Sequence, residues 1–444
     1  MTLRDHLREN LHLAYPVMLT NLGHVLMGVT DNVMVGHLGA TSLAAVGLAT
    51  VVFNVLMLFG VGVSYAITPL VAEADGEGDH NRMVETFRHG LVINVVNAFL
   101  LAIVVMFGKN ILYYINQSPE VVEQTMPFLS VIAFSLVPML IFQSFKQFAE
   151  GLSNTRVALI VIIVANLMNL FLNYALIYGH FGFPAMGLMG AAWATFGSRV
   201  FMAIAIGGYV YAAPAFRKFR AMFTFGKYSG AFFKKMLHIG IPSGVQFIFE
   251  VAAFDFSLVM MGWLSIQAQA AHMIAINLAT LSYMTTAGLA AAATVRVGYF
   301  LGKQDYANLR MASYSLLGMA LTWMSFWTLL FVFGRYFLPS LYVEDEAVIG
   351  IASTLLIVAS VFQLSDGTQV VCASALRGLQ DVKIPSIFIF IAYWIIGLPL
   401  GYWFCFKAGG GAPGIWVGLL IGLTLTAAAM FMRFRWAIRR LMIG

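Results

Sequence analysis

Long apolar runs recur along nearly the whole chain, broken by short charged or Gly/Pro-rich stretches. They define twelve spans: 11–35, 43–70, 88–107, 126–148, 157–179, 187–213, 237–264, 269–294, 311–332, 348–371, 384–406 and 412–432. Each is about 20 residues or longer, enough to cross a hydrocarbon core of about 30 Å as a helix. Continuous runs rather than short alternating segments exclude a transmembrane β-barrel. The pattern predicts an all-α polytopic membrane protein with twelve transmembrane helices.

Composition agrees: 61% of the 444 residues are hydrophobic and 10% charged, against about a quarter charged in a soluble domain. A water-soluble globule is excluded. The net charge of +6 would suggest a nucleic-acid partner in a soluble protein, but here position explains it. With the N-terminus inside, Lys109, Arg335 and Lys407 fall in outer loops and Arg199 inside a span, while the other 21 of 25 basic residues face inward. The positive-inside rule then places both termini in the cytoplasm. Met1 to Asn10 carries Arg4, Asp5, Arg8 and Glu9 without a small-residue cleavage site, so it reads as retained. Cys372 and Cys405 lie in or beside apolar runs and read as core thiols rather than a disulfide.

The longest polar break runs from Arg217 to Lys235, after the sixth span, and holds Arg217, Lys218, Arg220, Lys227, Lys234 and Lys235. It reads as a basic cytoplasmic linker, 217–235, between an N-terminal lobe, 1–216, and a C-terminal lobe, 236–444. Its charge suits anionic lipid better than nucleic acid. A shift of 226 residues superposes Pro16 on Pro242, Gly36 on Gly262, Gly62 on Gly288, Thr68 on Thr294, Gly76 on Gly302 and Asp79 on Asp305. The same shift brings Gly108 to Gly334, Glu120 to Glu346 and Gln143 to Gln369; one further residue brings Gly151 to Gly378 and Gly187 to Gly414. Matches concentrated on glycines, a proline and loop acids at one offset mark an internal duplication. Six spans per half is an even number, so both halves enter the membrane in the same orientation, as two lobes related by an axis along the membrane normal. A cleft between them that opens to either side is the geometry of alternating access.

A charge buried mid-membrane costs about 2.5–3.5 kcal/mol on insertion scales, so intramembrane ionisable groups are functional candidates. Asp31 lies about 9 Å from the outer end of span 1. Asn173, Asn169 one turn below it, and Thr195 in span 6 occupy the same layer. A carboxylate with amide and hydroxyl oxygens suits Na⁺, or a proton on a desolvated carboxylate; hydrogen bonding between helices explains the asparagines alone equally simply. Glu250 and Asp366 each lie about 16–22 Å from the inner face and can share a layer of the second lobe. Two neighbouring carboxylates resist joint ionisation, so the pair can take a proton or a cation. Asp255, about 140° round the helix from Glu250, faces elsewhere and admits either a functional or a local role. His24 lies nearly on the face of Asp31 and reads first as a structurally satisfied histidine. Arg199, one turn after Thr195, pairs with a carboxylate or snorkels, and Tyr283 is a candidate oxygen donor to the second-lobe layer. The 25 Met and 37 Phe read mostly as lipid-facing packing, with the capacity to line an adaptable cleft. No Gly-rich Lys-Ser/Thr phosphate loop is present, which argues against an ATP-driven pump.

The stretches Thr30 to Gly47 (TDNVMVGHLGATSLAAVG), Phe247 to Phe254 (FIFEVAAF), Ala268 to Leu278 (AQAAHMIAINL) and Asp366 to Asp381 (DGTQVVCASALRGLQD) resemble the multidrug and toxic compound extrusion (MATE) family. With NLFLNYALIYGHFGFP and MGAAWAT, the likeness to its NorM-type branch covers nearly the whole chain. The resemblance implies a two-lobed, twelve-helix antiporter of a bacterial inner membrane that acts as a monomer and expels small cationic, partly apolar compounds in exchange for Na⁺ or H⁺, with no cofactor. It carries cation-site roles onto Asp31, Asn169, Asn173 and Thr195, and onto Glu250 and Asp366; Na⁺ would sit at Glu250 and Asp366 or at Asp31 and Asn173. Asp255 is outside the family pattern, and Phe362 stands where some relatives offer a tyrosine. A lipid-linked polysaccharide flippase of the same superfamily is the rival reading, which calls for cations along the cleft. A major-facilitator transporter lacks support in the loop EADGEGDHNR. A membrane-embedded enzyme lacks a metal-ligand spacing or a nucleophile with a nearby base.

Overall fold

The computed structural model describes residues 1–114, 118–224 and 226–443, and the side chain of Ala40 is outside that description. Phe225, within the expected linker, lies outside the described residues. Among the described residues, twelve helices are long and apolar enough to cross a membrane. In chain order they are α1 Leu3–Gly36, α2 Thr41–Glu77, α3 His80–Tyr114, α4 Pro119–Gly151, α5 Arg156–Tyr178 and α6 Leu188–Ala212, then α7 Gly230–Gly262, α8 Ile266–Gly302, α9 Tyr306–Gly334, α10 Glu346–Gly378, α11 Lys383–Lys407 and α12 Gly411–Ile443. Among the described residues every regular element is helical. Most helices outrun their apolar runs. Helix α3, for example, begins at His80 rather than 88. The added turns are not all solvated: those at the ends of α4 and α10 are buried within their own units.

Two compact units emerge: Leu19–Gly244, the first unit, and Met1–Met18 with Val245–Gly444, the second. The division cuts through α1 and α7 rather than through the break at 217–235. Each cut falls two residues after a proline inside the helix, Pro16 or Pro242, where a backbone N–H is missing from the ladder. The cuts are themselves one 226-residue repeat apart.

The duplication extends to individual contacts. In the first unit Thr68 Oγ1 donates to the carbonyl of Gln147 at 3.2 Å; in the second, Thr294 Oγ1 donates to that of Ser374 at 2.9 Å. A Cβ added at Gly151 would stand 2.8 Å from Val71 Cβ, and one at Gly378 would stand 2.8 Å from Val297 Cβ. Only glycine lets α4 approach α2, and α10 approach α8, this closely. Asp79 and Asp305 cap their helices alike, accepting from the backbone N–H of Arg82 at 3.0 Å and of Asn308 at 3.1 Å.

The halves differ where helices are interrupted. Helix α2 breaks between Ser64 and Ile67 and α4 at Ser135, whereas α8 and α10 run through. Helix α11 carries π-helical turns at Phe390–Gly397 and Trp403–Lys407, whereas α5 is regular. The break between α6 and α7 is not a free tether: a 3-10 segment, Pro214–Phe223, buries Phe216, Phe219 and Met222 in the first unit. Arg88 holds it through the carbonyl of Ala221 and through Thr224 Oγ1, leaving Arg217, Lys218 and Arg220 exposed.

Candidate functional site

In the first unit α1, α5 and α6 bring Asp31, Asn169, Asn173 and Thr195 together. Asn173 Nδ2 donates to Asp31 Oδ1 at 2.6 Å, and Thr195 Oγ1 donates to Asp31 Oδ2 at 3.0 Å. The spacing i, i+4 sets Asn169 and Asn173 on one face of α5, and Asn173 Nδ2 also donates to Asn169 Oδ1 at 3.2 Å. Both asparagines are fully buried. The polarity differs from an oxygen shell in one respect: the amide turns its nitrogen, not its oxygen, to the carboxylate. Asn173 Oδ1 is left without a partner.

Arg199 is within electrostatic range of Asp31, but its Nη1 donates to Ser135 Oγ at 2.5 Å, at the break in α4. Its guanidinium covers the Phe53 ring at 4.8 Å. His24 is not part of the Asp31 shell. Its ring meets the Phe142 ring edge-on, with centroids 6.2 Å apart, and its charged neighbours are Lys146 and Arg199. The sequence reading passed over Lys146 and Glu150, which form a buried pair at 3.2 Å on one face of α4. Lys146 stands at the end of its apolar run, where a charge reads as interfacial. Only the helix's continuation to Gly151 and the burial of Gln143, Gln147 and Glu150 show otherwise.

In the second unit α7, α10 and α11 build the other acidic centre. Glu250 and Asp366 are both at least nine-tenths buried and within electrostatic range of each other. Gln369, one turn after Asp366, donates through Nε2 to Glu250 Oε1 at 2.9 Å. Tyr393 OH, fully buried in the π-helical part of α11, donates to Gln369 Oε1 at 3.2 Å. Arg377 acts on Glu250 by its charge and lies over the Phe247 ring at 5.7 Å. Tyr283 is near Tyr393. Asp255 is exposed, unlike the buried pair. Phe362 stacks on Trp416, with centroids 5.6 Å apart; Trp416 Nε1 in turn donates to His272 Nδ1 at 3.0 Å. Tyr393 thus brings a hydroxyl within electrostatic range of both carboxylates, with Tyr283 beside it. The sequence reading missed Gln369 and Tyr393, although the 226-residue shift had marked Gln369 through Gln143.

The two centres occupy non-equivalent positions of the repeat. The counterpart of Asp31 is Ser257, whose hydroxyl donates to its own helix at Ala253. The counterpart of Glu250 is His24. Among the described residues no group of three or more His, Cys, Asp or Glu side chains is placed to hold a metal ion.

A family model described as MatE matches residues 16–175 and 242–403, once in each half of the chain. A probable multidrug resistance protein NorM from Rhizobium meliloti (strain 1021) is 35% identical over 440 residues, covering 98% of this chain and 94% of the relative. The multidrug resistance protein NorM of Photobacterium profundum is 32% identical over 439 residues, covering 98% and 96%. The crystal structure of the eukaryotic MATE transporter AtDTX14 superposes with a TM-score of 0.89 at 19% identity, covering 99% of this chain and 98% of that one. Twelve helices, a duplicated packing scheme and a family match in both halves agree: the chain belongs to the MATE family of membrane transporters, in its NorM-like branch.

Proposed function

We propose that this chain is a secondary active efflux antiporter that exports small cationic, partly apolar compounds in exchange for Na⁺ or H⁺, by alternating access between its two lobes. The observation that carries the reading is one acidic centre among the helices of each unit: the half-buried Asp31 under the buried Asn173 and Thr195, and the buried Glu250 beside Asp366. Carboxylates in apolar helices are costly unless they have work to do. An organic cation and a coupling ion compete for the same negative charge, so binding of one favours departure of the other. Na⁺ takes hard oxygens, supplied by Glu250 with Asp366, or by Asp31 with Asn173 once that amide turns its unpartnered oxygen inward. The multidrug resistance names of the relatives support the substrate class. A polysaccharide flippase would need cations to meet phosphate, whereas Asp31, Glu250 and Asp366 make these centres acidic, and the nearby cations are engaged: Arg199 by Ser135 and Phe53, Lys146 by Glu150, and Arg377 by the Glu250 charge and the Phe247 ring.

The chain works as a monomer in a bacterial inner membrane with both termini cytoplasmic, and its exposed Arg217, Lys218 and Arg220 meet anionic lipid. The test is export of a lipophilic cation by cells carrying Glu250→Gln or Asp366→Asn. Each variant should reach the membrane and fail to export. Full export by both would refute the coupling role of the pair.

A further inference from the structure

The second-unit centre contains a one-way chain of hydrogen bonds. A carboxylate can only accept, so the Gln369 amide must turn its NH₂ to Glu250, at 2.9 Å, and its oxygen away. That oxygen then needs a donor, and Tyr393 OH supplies it at 3.2 Å. Gln369 and Tyr393 are essentially excluded from solvent, so neither bond competes with water. The wide π-helical turn Phe390–Gly397 carries Tyr393 to this place.

The other half of the duplication lacks the arrangement. The repeat partner of Gln369 is Gln143, whose Oε1 has no partner. That of Glu250 is His24. That of Tyr393 is Asn166, which instead donates to the carbonyls of Gly23 at 3.1 Å and Ile162 at 2.8 Å. The same ancestral positions thus carry a donor chain onto a carboxylate only where the second unit has one.

We infer that Gln369 and Tyr393 are positioning residues that set how tightly Glu250 holds the coupling ion, a role that rests on the coupling reading above. The amide donates to Oε1 and leaves Oε2 for the ion. A donor stabilises the ion-free carboxylate more than the neutralised one, so it weakens the ion's hold and speeds release. Tyr393 acts through Gln369 by holding the amide in that sense.

The experiment measures the half-saturating concentration of the driving ion and the maximal export rate in reconstituted vesicles. Gln369→Met should lower the half-saturating concentration by about fivefold and reduce the maximal rate as release slows; Tyr393→Phe should lower it by about twofold. In the double variant the tyrosine change should add nothing, because its route to Glu250 is gone. A merely structural role would cut protein level or maximal rate while leaving the half-saturating concentration unchanged. That result, a rise in half-saturation, or additive effects would each overturn the inference. If Gln369→Met fails to accumulate, Tyr393→Phe, which removes one oxygen, carries the test. Glu250→Gln is run alongside: persistence of normal ion dependence there sinks the coupling reading itself, whereas its loss with Gln369→Met unchanged sinks only the positioning role.

Discussion

The close approach at Gly151 and Gly378 makes a paired prediction. In both places a single methyl group would enter a contact already filled by a β-branched side chain and a backbone carbonyl. The added Cβ at Gly151 stands 2.8 Å from Val71 Cβ and 3.1 Å from the carbonyl oxygen of Thr68. At Gly378 the distances are 2.8 Å to Val297 Cβ and 2.9 Å to the oxygen of Thr294. Unstrained carbon contacts lie at about 3.5–4.0 Å, so each methyl overlaps its neighbour by about an ångström. Neither obstacle is the free end of a flexible side chain; the helices themselves must separate. Overpacking of this kind costs about 1–3 kcal/mol. Gly151→Ala and Gly378→Ala should therefore each lower the apparent melting midpoint of the purified protein, by similar amounts. Gly318→Ala is the control, because it lies on the exposed face of α9 with nothing within 4 Å of the new Cβ. It should be neutral or slightly stabilising, since alanine is favoured over glycine in a helix by about 1 kcal/mol. An unchanged midpoint in either tight variant, or a loss confined to one half, would refute the claim that the duplication is preserved in the packing.

Asp31→Asn should weaken ion-coupled export more than Asn173→Ala, because it removes the carboxylate on which Asn173 and Thr195 converge; initial export rates against ion concentration decide the order, and the reverse order would mean the shell is wrongly assigned. Asp255→Asn should leave those rates unchanged, since Asp255 is exposed, unlike the buried pair; abolished export would place it in the coupling path. A lipophilic cation should be exported far better than a neutral compound of similar size, measured as accumulation in cells, and equal export would remove the electrostatic basis of selectivity.

The helices and their number were legible because a membrane span demands an unbroken apolar run, and few other structures do. The duplication was legible because Pro16 and Pro242 interrupt α1 and α7 at equivalent points, and because the tight glycines Gly62 with Gly288 and Gly151 with Gly378 leave no room for a side chain. Gly62, for instance, packs on the backbone of Gly244, and its repeat partner Gly288 packs on Met18. The Asp31 layer was legible from depth alone, since charged and amide side chains are rare in these runs. What stayed hidden depends on geometry that apolar patterning does not encode. The breaks at Ser64–Ile67 and Ser135 and the π-helical turns of α11 lie inside continuous apolar sequence. Tyr393 is one of 17 tyrosines, and its contact with Gln369 from within a π-helical turn has no signature in the apolar pattern. The sense of the Asn173 amide likewise follows from the position of Asp31 in three dimensions rather than from the identity of either residue.

The most direct test of the account is exchange itself. Purified protein is reconstituted into vesicles, an outward gradient of a lipophilic cation is imposed with no ion gradient, and movement of Na⁺ and of H⁺ is followed separately. The account predicts that one of the two ions moves against the flow of the organic cation, and that this counterflow disappears in Asp366→Asn. Passage of the organic cation with neither ion moving, or ion movement in the same direction, would contradict it.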